Sequence, residues 1–410
     1  MSDLSARAVS ALGLAVMIGI AWIASSDRRR FPWHTVAWGV GLQLTLGVIL
    51  LKTPVGRGFF LAMNGVTSAM IRYTNAGIEF VFGPLVDTGF SIVVNVLPVI
   101  VFMGSFFAVL YHLGVMQRVV DVMAILLART LRTSGAEALA AVANLFVGMT
   151  ESALIVRPYL ERMTRSELFT LMTLGMSTVA GSVMLTYVLM LGGGDFAGHL
   201  ATASLLSAPA GILLAKVMVP ETETPVTRDR HRATVERSAV NVIDAAAQGA
   251  IAGLRLAGYV GALLIAFVAL IALLNDGVGA LGTALGSPGW TLQRILGSVL
   301  APLAWLMGVP WEDAGRVGGL LGVKTVLNEF IAYRELAGYV ESGALSPRSM
   351  VIASYALCGF ANFGSLAILL GGLGGLAPSR RAEVAELGLR SILAGSLATF
   401  MTACVAGILV

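Results

Sequence analysis

The sequence predicts an all-α, polytopic membrane protein: eight transmembrane helices plus two opposed re-entrant hairpins, built as an inverted repeat with helices broken at the membrane midplane. Three observations predict it. Of 410 residues, 57% are hydrophobic and only 12% charged, with a mean hydropathy of +0.85, whereas water-soluble domains carry about 25% charged residues. The apolar runs are roughly 20 residues long, the length a helix needs to cross ~30 Å of hydrocarbon, and none alternates like the strands of an outer-membrane barrel. Finally, a buried-looking carboxylate followed by a glycine- and hydroxyl-bearing span occurs twice, once in each half of the chain. The net charge of +4 does not mark a nucleic-acid binder, because loop Lys and Arg specify the cytoplasmic side of a membrane protein. Cys358 and Cys404 both lie in apolar segments and give no disulfide framework.

Each element follows in order. The first apolar run, 8–25, lacks a basic leader and a small-residue cleavage site, so it reads as a spanning helix and not a signal peptide. It ends at Asp27-Arg28-Arg29-Arg30, a basic cluster that belongs in the cytoplasm and leaves the N-terminus outside. A second span, 36–51, returns outward. The stretch 56–82, flanked by Lys52 and carrying Arg57 and Arg72, reads as an interfacial amphipathic helix. A third span covers 89–112. Arg118, Arg129, Arg132, Arg157, Arg162 and Arg165 then accumulate with no outside-type loop between them. The apolar segment 138–156 must therefore enter and leave on one side as a re-entrant hairpin, tolerable only where protein or a water-filled cavity satisfies its tip.

Spans four and five are 168–191 and 200–219, the former interrupted at Ser177, Thr178, Gly181 and Ser182. The polar segment 220–240, with Arg228, Arg230, Arg232 and Arg237, is a cytoplasmic linker. Span six (250–274) leads through an outer interfacial region (276–310) to a second hairpin candidate (314–342). Span seven is 350–373, Arg380 and Arg381 mark the inside again, and span eight ends at Val410. An even number of spans puts both termini on the periplasmic side of an inner membrane. Arg390, near the start of span eight, is expected to snorkel toward the cytoplasm. The expected divisions are 1–112 (spans one to three and the interfacial helix), 113–219 (first repeat), 220–248 (linker) and 249–410 (second repeat).

The repeat has consistent spacing. Glu151 lies in GMTESAL and Glu329 in LNEFIAY, 178 positions later; Gly181-Ser182-Val183 and Gly364-Ser365-Leu366 are 183 positions apart. The first hairpin opens to the cytoplasm and the second to the outside by the charge count, so the halves are inverted. Inverted repeats with broken helices meeting at the midplane build secondary transporters, whose site lies at the repeat interface. Where a helix unwinds, carbonyls without partners are ready ligands for a hard cation. Asn144 and Val147 with Thr178 and Val179 would make an oxygen cage suited to Na⁺. Glu329, Asn362 and Ser365 offer a carboxylate, an amide and a hydroxyl, a set that suits sugar hydroxyls. The intramembrane carboxylate also allows a proton relay. Lys324 is expected either to pair with a carboxylate or to reach the interface.

At these residues the chain resembles a known family. GVKTVLNEFIAY (322–333), CGFANFGSLAILLGGLGGLAPSRR (358–381) and NLFVGMTESALIVRPYL (144–160) look like the signature regions of the concentrative nucleoside transporters, in matching order and spacing. The resemblance implies a homotrimer in which each protomer holds a scaffold and a transport domain and moves nucleosides inward with a cation. It assigns Thr150 and Glu151 to the nucleobase, and Glu329, Asn362 and Ser365 to the ribose. It also sets Phe360 and Val183 against the base, and gives Asn144, Val147, Thr178 and Val179 to Na⁺. One departure stands out: the family's usual G-Q-T-E is Gly148-Met149-Thr150-Glu151 here, so a base-reading amide is replaced by a thioether of almost no hydrogen-bonding capacity. Base selectivity is therefore expected to be changed or relaxed while the ribose half is retained. The expected function is Na⁺-coupled nucleoside import, with proton-coupled symport as the alternative and a channel for small polar solutes as the reading from another class. No enzyme is expected: His34, His112, His199 and His231 are scattered, and there is neither an H-E-x-x-H nor a nucleophile-elbow motif. No cofactor is implied beyond Na⁺ as coupling ion.

Overall fold

A computed structural model describes residues 3–88, 91–228, 239–287 and 289–410. The expected start of span three at Gly89 and the linker residues Arg230, His231, Arg232 and Arg237 lie outside the described residues. Among the described residues every regular element is helical. Seven helices among the described residues are long and apolar enough to cross a membrane: 4–23, 33–52, 92–112, 165–190, 196–218, 242–284 and 378–409. The remaining expected span, 350–373, is two short helices, Pro347–Leu357 and Phe363–Leu376.

The second half repeats the element order of the first. An amphipathic helix (Val115–Leu131; Leu292–Leu306) precedes two helices meeting at a tight break (Gly135–Val147 and Met149–Ile155; Trp311–Val326 and Glu329–Glu341). A broken helix follows (Arg165–Ser177 and Gly181–Met190; Pro347–Leu357 and Phe363–Leu376), then a long one (Phe196–Met218; Arg381–Leu409). Polar caps fix where several of these begin. Ser134 and Glu137 form a reciprocal capping box, as do Thr164 and Glu167, each satisfying two of the N–H groups that a helix start leaves unpaired. Ser346 caps the start of the second broken helix one way only, its hydroxyl accepting from the Ser349 N–H.

Two expectations are corrected. Span six runs far beyond 250–274, as one 43-residue helix, Val242–Ala284. Asn275, Asp276 and Gly277 do not break it, because the Asn275 side chain caps the next helix instead of competing for its own backbone: its Oδ1 accepts the Leu292 N–H at 2.7 Å. The arginine-rich stretch after residue 113, read only as a topology signal, is the helix Val115–Leu131. It buries Met116, Val120, Ala124, Leu127 and Leu131, spaced three or four apart along one face. Arg390 hydrogen-bonds the Ala24 carbonyl at 2.9 Å, beyond the end of the first helix.

Burial sorts the long helices into two groups. The spans 165–190, 196–218 and 378–409 are 83–94% buried, whereas 4–23, 33–52, 92–112 and 242–284 are 11–33% buried. Two members of the outer group meet at glycines: a Cβ on Gly249 would lie 2.5 Å from the Gly104 carbonyl oxygen, and one on Gly253 2.7 Å from that of Ile100. Small residues at such a crossing let two backbones pack closely. At the base of the inner group, the buried Lys216 ammonium pairs with Glu137 and hydrogen-bonds Ser166 Oγ at 3.0 Å and Glu221 Oε2 at 3.3 Å. It thereby ties the end of Phe196–Met218 to the starts of Gly135–Val147 and Arg165–Ser177.

Candidate functional site

The four breaks converge. In the first helix–break–helix unit the chain turns at Gly148, whose φ of +103° and ψ of 176° lie in a region open essentially to glycine alone. In the second, Asn328 takes an extended conformation and its Oδ1 caps the new helix by accepting the Ile331 N–H at 2.9 Å. The broken helices open at 178–180 and 358–362, and Asn362 caps Phe363–Leu376 by accepting the Ser365 N–H at 2.7 Å. The first interruption falls among Ser177, Thr178, Gly181 and Ser182, as expected, and the second just before Gly364, so Ser182 and Ser365 sit in the first turn after each break.

Glu329 is the best-held group of the cluster. It is buried in the first turn of its helix, where the N-terminal dipole favours a carboxylate. Tyr187 donates its hydroxyl to Oε1 at 2.8 Å and Asn362 donates Nδ2 to Oε2 at 2.8 Å. Tyr187 is itself stacked on Tyr333, ring centroids 4.3 Å apart, and Tyr333 donates to the Ser354 carbonyl at 2.8 Å. Across the space, Thr150 donates to Glu151 Oε2 at 2.8 Å. Met149 is buried, and a Cβ on Gly175 would come 3.0 Å from the Met149 Cβ.

Between them lies a cavity of about 310 Å³ lined by all eight residues read as substrate-binding: Met149, Thr150, Glu151, Val183, Glu329, Phe360, Asn362 and Ser365. Its volume and few convergent polar groups are those of a small-molecule site. A second cavity of about 450 Å³ shares Val147, Glu151, Ala252 and Leu256 with it and continues to His112, Arg157 and Gln248. Sequence reasoning missed Tyr187, Arg255, Tyr259 and Phe267, which also line the smaller cavity. The available signals were a phenol inside an apolar span, which needs a partner, and an arginine inside span six, which is costly unless functional.

The residues read as a cation cage also meet. Asn144 donates Nδ2 to the Leu174 carbonyl at 2.7 Å and to Thr178 Oγ1. Its Oδ1 is buried without a hydrogen-bond partner, an acceptor of the kind a hard cation takes. Thr178 leaves the helix in an extended conformation, and Val147 ends the facing arm. Lys324 behaves otherwise than expected. No carboxylate among the described residues lies within ion-pair distance, though Lys324 interacts electrostatically with Glu329, and it reaches no interface: fully buried, its Nζ donates to the Ala356 carbonyl and to Thr399 Oγ1, both at 2.8 Å.

Sequence profiles for the N-terminus and C-terminus of Na⁺-dependent nucleoside transporters match residues 12–85 and 199–407, and a nucleoside-recognition gate profile matches 93–194. The chain belongs to the Na⁺-dependent nucleoside transporter family. It is 46% identical to the uncharacterized transporter YutK of Bacillus subtilis over 97% of this chain and 98% of that protein. It is 39% identical to the nucleoside permease NupC of Helicobacter pylori over 98% and 97%. Among solved structures it resembles the transporter CNTnw, which is 46% identical in an inward-facing, substrate-bound state, with a TM-score of 0.92 over 98% of each chain. An outward-facing variant of CNTnw, 45% identical, gives 0.94 over 99% of each. Members of this nucleoside transporter family are membrane transporters and not enzymes, and Na⁺ is the family's coupling ion.

Proposed function

We propose that this chain imports nucleosides across a bacterial inner membrane by Na⁺-coupled symport, working as a homotrimer with both termini periplasmic. The observation that carries the reading is the single cavity in which Glu329, held by Tyr187 and Asn362, faces the Thr150–Glu151 pair between Val183 and Phe360. Carboxylate, amide and hydroxyl at one end suit the vicinal hydroxyls of a ribose; the apolar walls and the second carboxylate at the other end suit a base. Asn144, Val147, Thr178 and Val179 hold the Na⁺, and the unpartnered Asn144 Oδ1 supports that assignment over a proton route.

In this reading the two helix–break–helix units are re-entrant hairpins of opposite orientation. The buried spans with their hairpins form the moving transport domain, and 1–112 belongs to the scaffold it moves against. The larger cavity leads from the site toward Arg157, on the arginine-rich side that the charge distribution assigns to the cytoplasm, which corresponds to an inward-open form. The experiment is uptake of radiolabelled uridine and adenosine into proteoliposomes with and without a Na⁺ gradient. Saturable, Na⁺-dependent accumulation is the expected result; uptake driven by a pH gradient and indifferent to Na⁺ would overturn the choice of ion, and equilibration without accumulation would indicate a channel.

A further inference from the structure

Lys324 is the one fully buried cation in the described residues that neither forms an ion pair nor faces the substrate cavity, and its position repeats that of Asn144. Asn144 lies four residues before the hairpin turn at Gly148, and Lys324 four residues before the turn at Asn328. Each side chain reaches carbonyls in the last turn of the half-helix that follows in its own repeat. Asn144 reaches Leu174, in the turn ending at Thr178; Lys324 reaches Ala356, in the turn ending at Cys358. The chemistry of the two positions is opposite. At the first break Asn144 Oδ1 is a buried acceptor without a hydrogen-bond partner. At the second, Nζ already meets acceptors alone. Thr399 sends its own hydroxyl proton to the Ser396 carbonyl at 2.9 Å, so its oxygen can only accept from Lys324, and Nζ also lies 5.6 Å from the centroid of the Phe400 ring. Carbonyl, hydroxyl oxygen and aromatic face are a cation's surroundings.

We infer that the Lys324 ammonium is the second repeat's resident counterpart of the coupling ion, filling with a tethered charge the break that in the first repeat takes Na⁺. Only one of the two related breaks then binds a mobile cation, and one Na⁺ moves per cycle. The inference rests on the Na⁺ reading of the first break.

The test measures the melting temperature of purified protein in NaCl or choline chloride at equal ionic strength, for wild type, Asn144→Ala, Lys324→Asn and the double variant, with ²²Na⁺ binding alongside. Wild type is expected to bind one ²²Na⁺ per protomer and to be stabilised by Na⁺ in a single saturable phase that Asn144→Ala abolishes. Lys324→Asn, which gives the second break the first break's side chain, is expected to melt lower in choline and to gain a Na⁺-dependent rise that persists in the double variant. Two ²²Na⁺ per wild-type protomer, or a folded double variant whose melting ignores Na⁺, overturns the inference. If Lys324→Asn does not fold, Thr399→Val decides: it should lower melting equally in both salts and leave the Na⁺ phase intact, and a lost Na⁺ phase overturns the separation of the two breaks. A wild type that neither binds nor responds to Na⁺ refutes the reading of the first break, while the double variant still judges Lys324 on its own.

Discussion

At the scale of single residues, the site turns on how Glu329 is held. Its two oxygens accept from Tyr187 and Asn362, so Glu329→Gln offers one carbonyl oxygen and sets an amide NH₂ against a donor. Hydrogen bonds to charged groups contribute about 1.5–3 kcal/mol each, and uridine uptake efficiency in proteoliposomes should fall by at least roughly tenfold, a change of 1.4 kcal/mol. Tyr187→Phe keeps the stack on Tyr333 and removes one donor; a milder loss, about tenfold at most, is expected in the same assay. Met149→Gln restores an amide where a thioether stands, and should shift the ranking of competing nucleosides by the ~1–3 kcal/mol of one base contact, read as inhibition constants across a panel. A strict single-base preference in wild type would contradict the expected change of selectivity. The residues lining the cavity were legible where they sit in the three motif stretches. Tyr187 was not, because its partner lies 142 positions away and local sequence cannot bring a phenol to a carboxylate over that separation.

At the scale of elements, the breaks decide what the site can present. Gly148 holds a backbone conformation closed to residues with a Cβ, and a Cβ there would also lie 3.3 Å from both the Ala180 Cβ and Glu151 Oε2. Gly148→Ala should therefore cost on the order of 1–3 kcal/mol and be seen as a lowered melting temperature together with weakened Na⁺ stabilisation, since the turn sets where Val147 ends. Unchanged melting would show that the tip relaxes. The sequence located the first broken helix where it is, among Ser177, Thr178, Gly181 and Ser182, but placed the second slightly late, at Gly364 instead of 358–362. A break lies where carbonyls find partners outside their own helix, as Leu174 does in Asn144, and those partners belong to another element. The length of Val242–Ala284 was hidden for a related reason: Asn275 looks like a helix terminator until the next helix takes up its side chain.

At the scale of the whole molecule, the uneven burial of the long helices has an energetic meaning. Apolar helices that are only 11–33% buried must meet lipid or other copies of the chain, while the inner spans already have their partners. The proposed homotrimer, with a scaffold that packs copies together around separately moving inner domains, would account for this split, and native mass spectrometry of detergent-solubilised protein should then give three protomers. Because Cys358 and Cys404 are buried, single cysteines on exposed faces of the long outer helix can report on that contact by cross-linking. Transport itself gives the sharper number. One Na⁺ moving inward through ~100 mV releases about 2.3 kcal/mol, and a tenfold Na⁺ gradient adds about 1.4 kcal/mol. The sum, about 3.7 kcal/mol, supports roughly a 500-fold accumulation of a neutral nucleoside, and a second Na⁺ would square that limit. Proteoliposomes with an imposed potential and Na⁺ gradient, followed to steady state, should approach the lower ceiling and respond to voltage as the movement of one charge. Accumulation well above it would require a second coupling ion, and with it a second break open to Na⁺ where Lys324 now sits.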